Sequence, residues 1–501
     1  MSKTESFSNR WGIVLASLGM AIGAGNLWRF PRLAGQYGGS FILLWILFLF
    51  IWSIPLLLAE FSIGKKFRKG VIGSFGAFAG KQYSWMGFFI TLCTLGIAFY
   101  YSVVTAWTLQ YLGISINNTI SGDLNQQLAA NPNFLQEQWT SISNSNGLTI
   151  VLYMLVVLGG VFQLGRGVRQ GLEKANRILI PSLFVLILII VVIALSMPNG
   201  AKGLEYMFLI KPEHFSNPIV WIEALSQSAW STGAGWGLMM TLSSYSREKE
   251  DVTLNTFIGA FGNNTASLIA GMAILPAVFA LAASDQEALS FLQSGNQALT
   301  FTIIPKLFAN FSGGGFLSIL FFLALFFAAF SSLLPMIELF TSNLLNMGLT
   351  RKTASVIVCI GFIVIGFPSA YSLDFFNNQD WVWGVGLILS GLFILFAVVK
   401  SGALSFKTNL IDLDSDFKVS DLYFSGAVYL NLGIAAFLIY WWLSQGYSAY
   451  PWFDEKGQWN FFDVYSNASV VTQWVGVIVL GLLINRFLYQ KFVVSQKSLA
   501  K

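Results

Sequence analysis

The chain is poor in charge. Only 10% of its 501 residues are Asp, Glu, Lys or Arg, while 55% are hydrophobic. A soluble globular domain is about a quarter charged, so this balance excludes an ordinary soluble fold and points to a polytopic membrane protein. Histidine is nearly missing, with His214 the sole example. That gives no support to a His-rich metal site, a zincin motif or a Ser-His or Cys-His catalytic pair. Cysteine is almost as scarce: Cys93 and Cys359 both sit in apolar runs, which argues against a disulfide framework. The start, MSKTESFSNRW, has no cleavable signal of the usual form, and the run from Trp11 reads as a first span.

What is abundant is long apolar sequence. A spanning helix needs about 20 mostly apolar residues. Twelve spans are expected, near 11–37, 40–65, 85–113, 147–165, 177–197, 219–246, 253–282, 313–346, 352–371, 381–401, 421–444 and 468–490. They are called helices 1 to 12 below. Lys65, Lys66, Arg68, Lys69 and Lys81 follow helix 2, and Arg166, Arg169, Lys174 and Arg177 join helices 4 and 5. The 116–146 connection carries Asp123 and Glu137 but no Lys or Arg. The positive-inside rule then puts both termini in the cytoplasm. The stretch GAFAGKQ at 76–82 lacks the first Gly and the Ser/Thr of a phosphate-binding loop, so ATP drive has no support.

Two spans are built to break. Helix 1 carries Gly19, Gly23 and Gly25; helix 6 carries Gly233, Gly235 and Gly237 in QSAWSTGAGWG. Helix 6 stands where helix 1 would stand if spans 6–10 repeated spans 1–5. Matched interruptions in two halves point to the binding site of a secondary transporter, because freed backbone is tolerated at membrane depth only around a polar cavity. The blander explanation is close helix packing through Gly19-x-x-x-Gly23. Asn26, Ser231 and Thr232 inside the two breaks favour the polar site.

The stretch GMAIGAGNLWRFP resembles the helix 1 signature of the neurotransmitter:sodium symporter family, whose fold is the LeuT fold. IPLLLAEFSIG, AFYYSVVTAW, QSAWSTGAGWG, NNTASLIAGMAILPAVFA and FFAAFSSLLPMIE follow in order, and the resemblance covers nearly all of 10–490. It implies an all-α protein of twelve transmembrane helices with a 5+5 inverted repeat and unwound helices 1 and 6. On that plan 1–10 is a cytoplasmic segment, 11–197 the first repeat, 198–401 the second, 402–490 helices 11 and 12, and 491–501 a tail. The activity implied is sodium-coupled import of a neutral, hydrophobic amino acid by alternating access, in a bacterial inner membrane. The absence of the cysteine pair that animal relatives carry in the second extracellular loop is the sign of a bacterial host.

The resemblance also implies sites. Two sodium ions are expected. The first would take the Ala21 carbonyl, Asn26, Ser231, Asn263 and the substrate carboxylate. The second would take the carbonyls of Gly19, Ile22 and Ala328 with the hydroxyls of Ser331 and Ser332. Such hydroxyls can instead bond back to their own helix. The substrate carboxylate would meet amides near Gly23 and Gly25, where a half-helix begins, and the Tyr101 hydroxyl. Amine-transporting relatives carry Asp where this chain has Gly23, so this substrate brings its own carboxylate. Its amino group would bond carbonyls near Ala21, Trp230 and Ser231. Met20, Ala24, Ile97, Trp230, Gly233, Trp236, Ser332 and Met336 would form an uncharged side-chain pocket, in which a buried unpaired charge would be costly. Ser267, with Gln227, Ser231 and Asn263 and with Trp45 in place of a family Tyr, makes a chloride-like set of neutral donors.

For gates, the resemblance implies Arg29 with Asp380 on the outside, Asp374 being the alternative, and Trp236 as lid. The family's inner ion pair is replaced by Thr4 and Asn346, leaving Lys3, Arg10 and Glu338, near Tyr245, as substitutes. Glu60 matches a family glutamate, and a carboxyl buried in a span must be hydrogen-bonded or protonated. The expected partners are a small-molecule substrate and lipid, with neither nucleic acid nor an obligate protein partner. The rival readings are a transporter of another zwitterion such as betaine or a GABA-like molecule, a non-transporting amino acid sensor, and an enzyme. The sensor lacks an output domain, and the enzyme lacks a convergent catalytic group.

Overall fold

A computed structural model describes residues 5–144 and 147–494. Lys3 and Thr4 lie outside the described residues. Among those described, there is no strand beyond one isolated bridge between Phe453 and Trp459, and the rest of the regular structure is helical. Eight helices are long and apolar enough to cross a membrane on length and composition, or nine if Asn467–Leu483 and the piece bent 64° from it are one span. All twelve expected spans are present once three features are recognised. Helix 1 and helix 2 run together in Ala24–Phe67 and divide at Gly38, whose φ of 61° only glycine takes readily. Helix 6 is split into Pro218–Thr232 and Leu238–Ser244. Helix 9, Arg351–Ile365, is short.

Some boundaries differ from expectation. Helix 3 runs on to Ser121, past the apolar stretch, because nothing stops it before Gly122 in the left-handed region. Helix 10 begins at Leu373, capped by the Ser372 hydroxyl, which accepts from Phe375 N. The polar connections hold short helices of their own, including Phe134–Ser143, Gly200–Phe208 and Asp285–Gln293.

Burial sorts the helices into shells. Within its most apolar window, helix 3 is 78% buried, whereas helix 5 is 28% buried. Helices 4 and 11 resemble helix 5, and their exposed residues include Leu155, Phe162, Tyr429 and Phe437. An exterior that apolar is the face a bilayer covers. Helices 1, 3, 6, 8 and 10 form the middle, where the two breaks lie.

Candidate functional site

Helix 1 opens for two residues. Its first piece, Arg10–Ala21, ends in extended backbone at Ile22 and Gly23, and the second piece starts at Ala24. Asn26 reaches back and accepts the Gly23 N–H at 2.9 Å, capping its own helix. Ala24 N–H donates to the Tyr101 hydroxyl at 3.0 Å. A Cβ on Gly23 would sit 2.7 Å from that hydroxyl and 3.1 Å from Ser332 Oγ, so a larger residue would have to displace them. In helix 6, Gly233, Gly235 and Gly237 have φ of 72°, 91° and 75°, a region that penalises any Cβ. The freed amides find a partner in Glu60. This fully buried carboxylate accepts from Gly235 N at 2.6 Å and Met240 N at 3.4 Å. Thr94 Oγ1 donates to the Trp236 carbonyl at 2.6 Å. The broken backbone is thereby satisfied by protein on one side and open to a cavity on the other.

The residues expected at the first sodium site converge. Asn26 Nδ2 donates to Asn263 Oδ1 at 2.8 Å and to Ser267 Oγ at 2.8 Å. Asn263 Nδ2 donates to Ser231 Oγ at 3.0 Å. Asn263 Oδ1 meanwhile stands 3.0 Å from the Ser231 carbonyl and 3.1 Å from that of Ala21. Turning the Asn263 amide over would let nitrogen donate to both carbonyls, but it would set that nitrogen 2.8 Å from Asn26 Nδ2, donor against donor. Three oxygens therefore face one another with no proton between them. Such a cluster suits a hard cation, which neutral amide, carbonyl and hydroxyl oxygens can hold.

The second expected set comes together in part. Ser332 Oγ lies 2.9 Å from the Gly19 carbonyl and 3.2 Å from that of Ile22. Ser331 Oγ donates to Ala328 O at 3.0 Å, bonding its own helix as an isolated serine would. Ser332 does not: it crosses to the break in helix 1. Gly19 also serves packing, since a Cβ there would strike the Asn176 side chain.

The chloride-like set does not assemble fully. Ser231, Asn263 and Ser267 join Asn26 in one network, but Gln227 Oε1 accepts from Arg29 at 3.2 Å. The Trp45 indole packs on Phe30, 4.6 Å between centroids, and its buried N–H has no protein partner.

A cavity of about 330 Å3 joins the two breaks. Met20, Gly23, Gly25, Tyr101, Trp230, Gly233, Trp236, Ser332 and Met336 line it as expected. Ala24 and Ile97 do not; both are wholly buried behind the wall, Ala24 because its amide is turned onto Tyr101. Helix 10 contributes a wall that sequence reasoning missed: Gly384, Val385 and Ile388. The cavity continues away from the N-terminal end to Asn296, Gln297 and Tyr465.

The outer pair differs from expectation. Arg29 is bound to Glu223 at 2.7 Å, Ser226 at 3.0 Å and Gln227, all on helix 6, and not to Asp380. The reason is local: the beginning of helix 6 lies alongside the second piece of helix 1 and offers a carboxylate first. Asp380 does line the same cavity, beside Tyr100, whereas Asp374 does not.

At the N-terminal end the bundle is closed. Arg351 contacts Glu338 at 2.9 Å and Glu5 at 2.6 Å, and the Tyr245 hydroxyl donates to Glu338 at 2.7 Å. Glu338 and Tyr245 are as expected, but the cation is Arg351. Arg10 pairs with Glu250 instead, 3.3 Å away. Asn346 accepts from Gly70 N. The signal for Glu5 and Arg351 lay in complementary charge at two positions far apart in sequence.

Twelve apolar spans, two of them interrupted around one cavity with facing oxygens and a seal at one end, define a secondary transporter. The sequence comparisons agree. The chain belongs to the sodium:neurotransmitter symporter family, whose profile matches residues 4–151 and 133–474. An uncharacterized sodium-dependent transporter of Methanocaldococcus jannaschii is 32% identical over 72% of this chain and 74% of its own. YhdH of Bacillus subtilis, also described as an uncharacterized sodium-dependent transporter, is 27% identical over 80% of this chain and 90% of its own. The crystal structure of MhsT in complex with L-phenylalanine superposes with a TM-score of 0.74 at 27% identity, covering 87% of this chain and 99% of that one. The fold is the LeuT fold, and the protein is a sodium-dependent transporter, not an enzyme.

Proposed function

We propose that the protein is a symporter that imports neutral, hydrophobic amino acids, coupled to two sodium ions, with both termini in the cytoplasm of a bacterial cell. The observation that carries this reading is the cluster of Asn263 Oδ1 with the Ala21 and Ser231 carbonyls, linked to the Gly23–Tyr101 corner through Asn26, which accepts from Gly23 N and donates to Asn263. A cation at the first and a carboxylate at the second attract one another, which couples the two solutes. Tyr101, with its oxygen accepting from Ala24 N, keeps its own proton for the carboxylate. Gly25 adds a first-turn amide of a half-helix, a natural anion site. The uncharged wall from Met20 to Met336 suits an apolar side chain. The L-phenylalanine bound in the related MhsT supports the same substrate class.

The second ion would rest between helix 1 and helix 8 on Gly19, Ile22, Ala328, Ser331 and Ser332. Held there, it ties the break to Ser332 and favours the form sealed at the N-terminal end. Chloride, if bound, would lie against Ser267 and Ser231; Trp45 N–H is an available donor. The cavity reaching Asn296 and Tyr465 corresponds to an outward-facing form, and the Lys and Arg that follow helix 2 mark the opposite face as cytoplasmic.

The test is binding of radiolabelled leucine to purified protein in sodium or potassium, each with chloride or gluconate, competed by all twenty amino acids. Sodium-dependent binding displaced by apolar amino acids is the expected result. Binding indifferent to sodium would overturn the ion assignment, and no binding of any amino acid would overturn the substrate class.

A further inference from the structure

Helix 10 supplies the cavity with one face, Asp380, Gly384 and Ile388, spaced by four residues so that they stack along the helix. Gly384 has no side chain, and that absence is filled by its neighbour. A Cβ built on Gly384 would lie 2.7 Å from Cζ2 of Trp230 and 3.4 Å from its Cη2. The benzo edge of the Trp230 indole thus rests on the backbone of helix 10. Trp236 stands edge-on against the same indole, with centroids 5.3 Å apart and planes at 85°. Helix 10 lies behind the indole, Trp236 beside it and the cavity before it, so a methyl on Gly384 would push the ring toward the cavity. Across that space Gly233 also lacks a side chain, and Met20 fills the room there, its Cε 3.2 Å from where a Gly233 Cβ would be.

We propose that Gly384 is a specificity-determining position. It holds the Trp230 indole back against helix 10, and so keeps the pocket wide enough for amino acids with bulky, aromatic side chains. The inference rests on the amino acid reading above and sharpens its substrate class. Glycines elsewhere in these helices, such as Gly361 and Gly433, have open space around them, whereas at Gly384 a Cβ would meet the Trp230 ring, which gives the glycine a packing reason. Gly384 touches the substrate through Trp230: it positions a wall and does not bond the ligand. Two facing aromatic planes, Trp230 and Trp236, further suit a ring, since aromatic groups gain from edge and offset contacts beyond simple burial.

The experiment measures sodium-dependent binding of alanine, valine, leucine, phenylalanine and tryptophan to the full-length protein, to Gly384→Ala, and to Gly384→Ala with Trp230→Phe. Wild type is expected to prefer phenylalanine and tryptophan. In Gly384→Ala their affinity should fall roughly tenfold or more, the loss typical of one surplus carbon in a closed pocket, while alanine and valine change little. Retained valine binding shows that the variant is folded. Trp230→Phe removes the benzo edge that the new methyl strikes, so the double variant should regain phenylalanine binding. The proposal is overturned if Gly384→Ala leaves the size profile unchanged, if it weakens all five ligands equally, or if the double variant is no better than the single one. If wild type binds none of the five in sodium, the amino acid reading itself has failed, which is a different result.

Discussion

Arg351 grips Glu338 with two parallel contacts, Nη1 to Oε2 and Nη2 to Oε1, both at 2.9 Å, while Nε and Nη2 also donate to Glu5 and Nη1 to the Leu164 carbonyl. One guanidinium joins the segment before helix 1 to helix 8, and Tyr245 adds the second half of helix 6. The elements that an opening at this end must separate are thus tied at one point.

The first prediction follows from the burial of Glu338. Arg351→Ala would leave that carboxylate enclosed with only a tyrosine, at a cost of about 3–5 kcal/mol for a buried pair broken on one side. The loss falls on the closed form, so the equilibrium moves toward opening at this end. Hydrogen exchange at residues 5–9 and around 245 should accelerate, and sodium-dependent substrate affinity should drop. Exchange unchanged from wild type would show that the clasp does not hold the end shut. Arg351→Lys should recover only part of the effect, because lysine cannot make the paired contact.

The broken helices were legible in sequence while this clasp was not, for a physical reason. Gly233, Gly235 and Gly237 carry a local conformational preference wherever they are placed, and an interruption inside an apolar run needs an explanation at once. Asn26, Ser231 and Thr232 stood out as polar side chains inside a break, whereas Asn263 and Ser332 came only through the family resemblance. Glu5 and Arg351 sit 346 positions apart on segments where charge is ordinary, and only the folded bundle pairs them. The Arg29–Glu223 pair was missed likewise: each residue looks like any charge near a helix end. Gly384 was visible as a glycine, but its meaning depends on Trp230 lying across it.

A second prediction concerns that outer pair. Arg29 and Glu223 are partly exposed, with side chains at 20% and 29%, so their attraction is modest. Glu223→Gln should free Arg29 for Asp380 across the cavity and favour closure above the substrate. Substrate dissociation should slow by up to about fivefold, the scale of a partly exposed ion pair. Asp380→Asn should do the reverse. Equal dissociation rates in wild type and Glu223→Gln would mean that Arg29 does not exchange partners.

A third prediction separates the ion sites from the fold. Asn26→Ala deletes the acceptor of Gly23 N and the donor to Asn263 and Ser267. Ser331→Ala with Ser332→Ala deletes both hydroxyls of the second set. Wild type should melt at higher temperature in sodium than in potassium, because a ligand that binds only the folded form stabilises it. Either variant should shrink that difference while still folding, with its stability in potassium lowered by the about 1–3 kcal/mol typical of unsatisfied buried polar groups. A full sodium-induced shift in Asn26→Ala would remove Asn26 from the first site.

The last prediction addresses how the substrate carboxylate is recognised. Tyr101 stands at the mouth of the break, accepting from Ala24 N at 3.0 Å, with its oxygen 2.7 Å from the Cβ position that Gly23 leaves empty. Tyr101→Phe keeps the ring and removes both the acceptor and the free proton. A hydrogen bond to a charged group contributes about 1.5–3 kcal/mol, so amino acid affinity should weaken by roughly 10- to 100-fold. The loss should be equal for large and small side chains, since the carboxylate is common to all. That pattern differs from Gly384→Ala, where size decides. Sodium-induced thermal stabilisation without substrate should persist, because Tyr101 supplies no oxygen to either ion set. If Tyr101→Phe instead binds amino acids normally, the carboxylate lies elsewhere, and the vacancy at Gly23 serves only to let helix 1 approach helix 3.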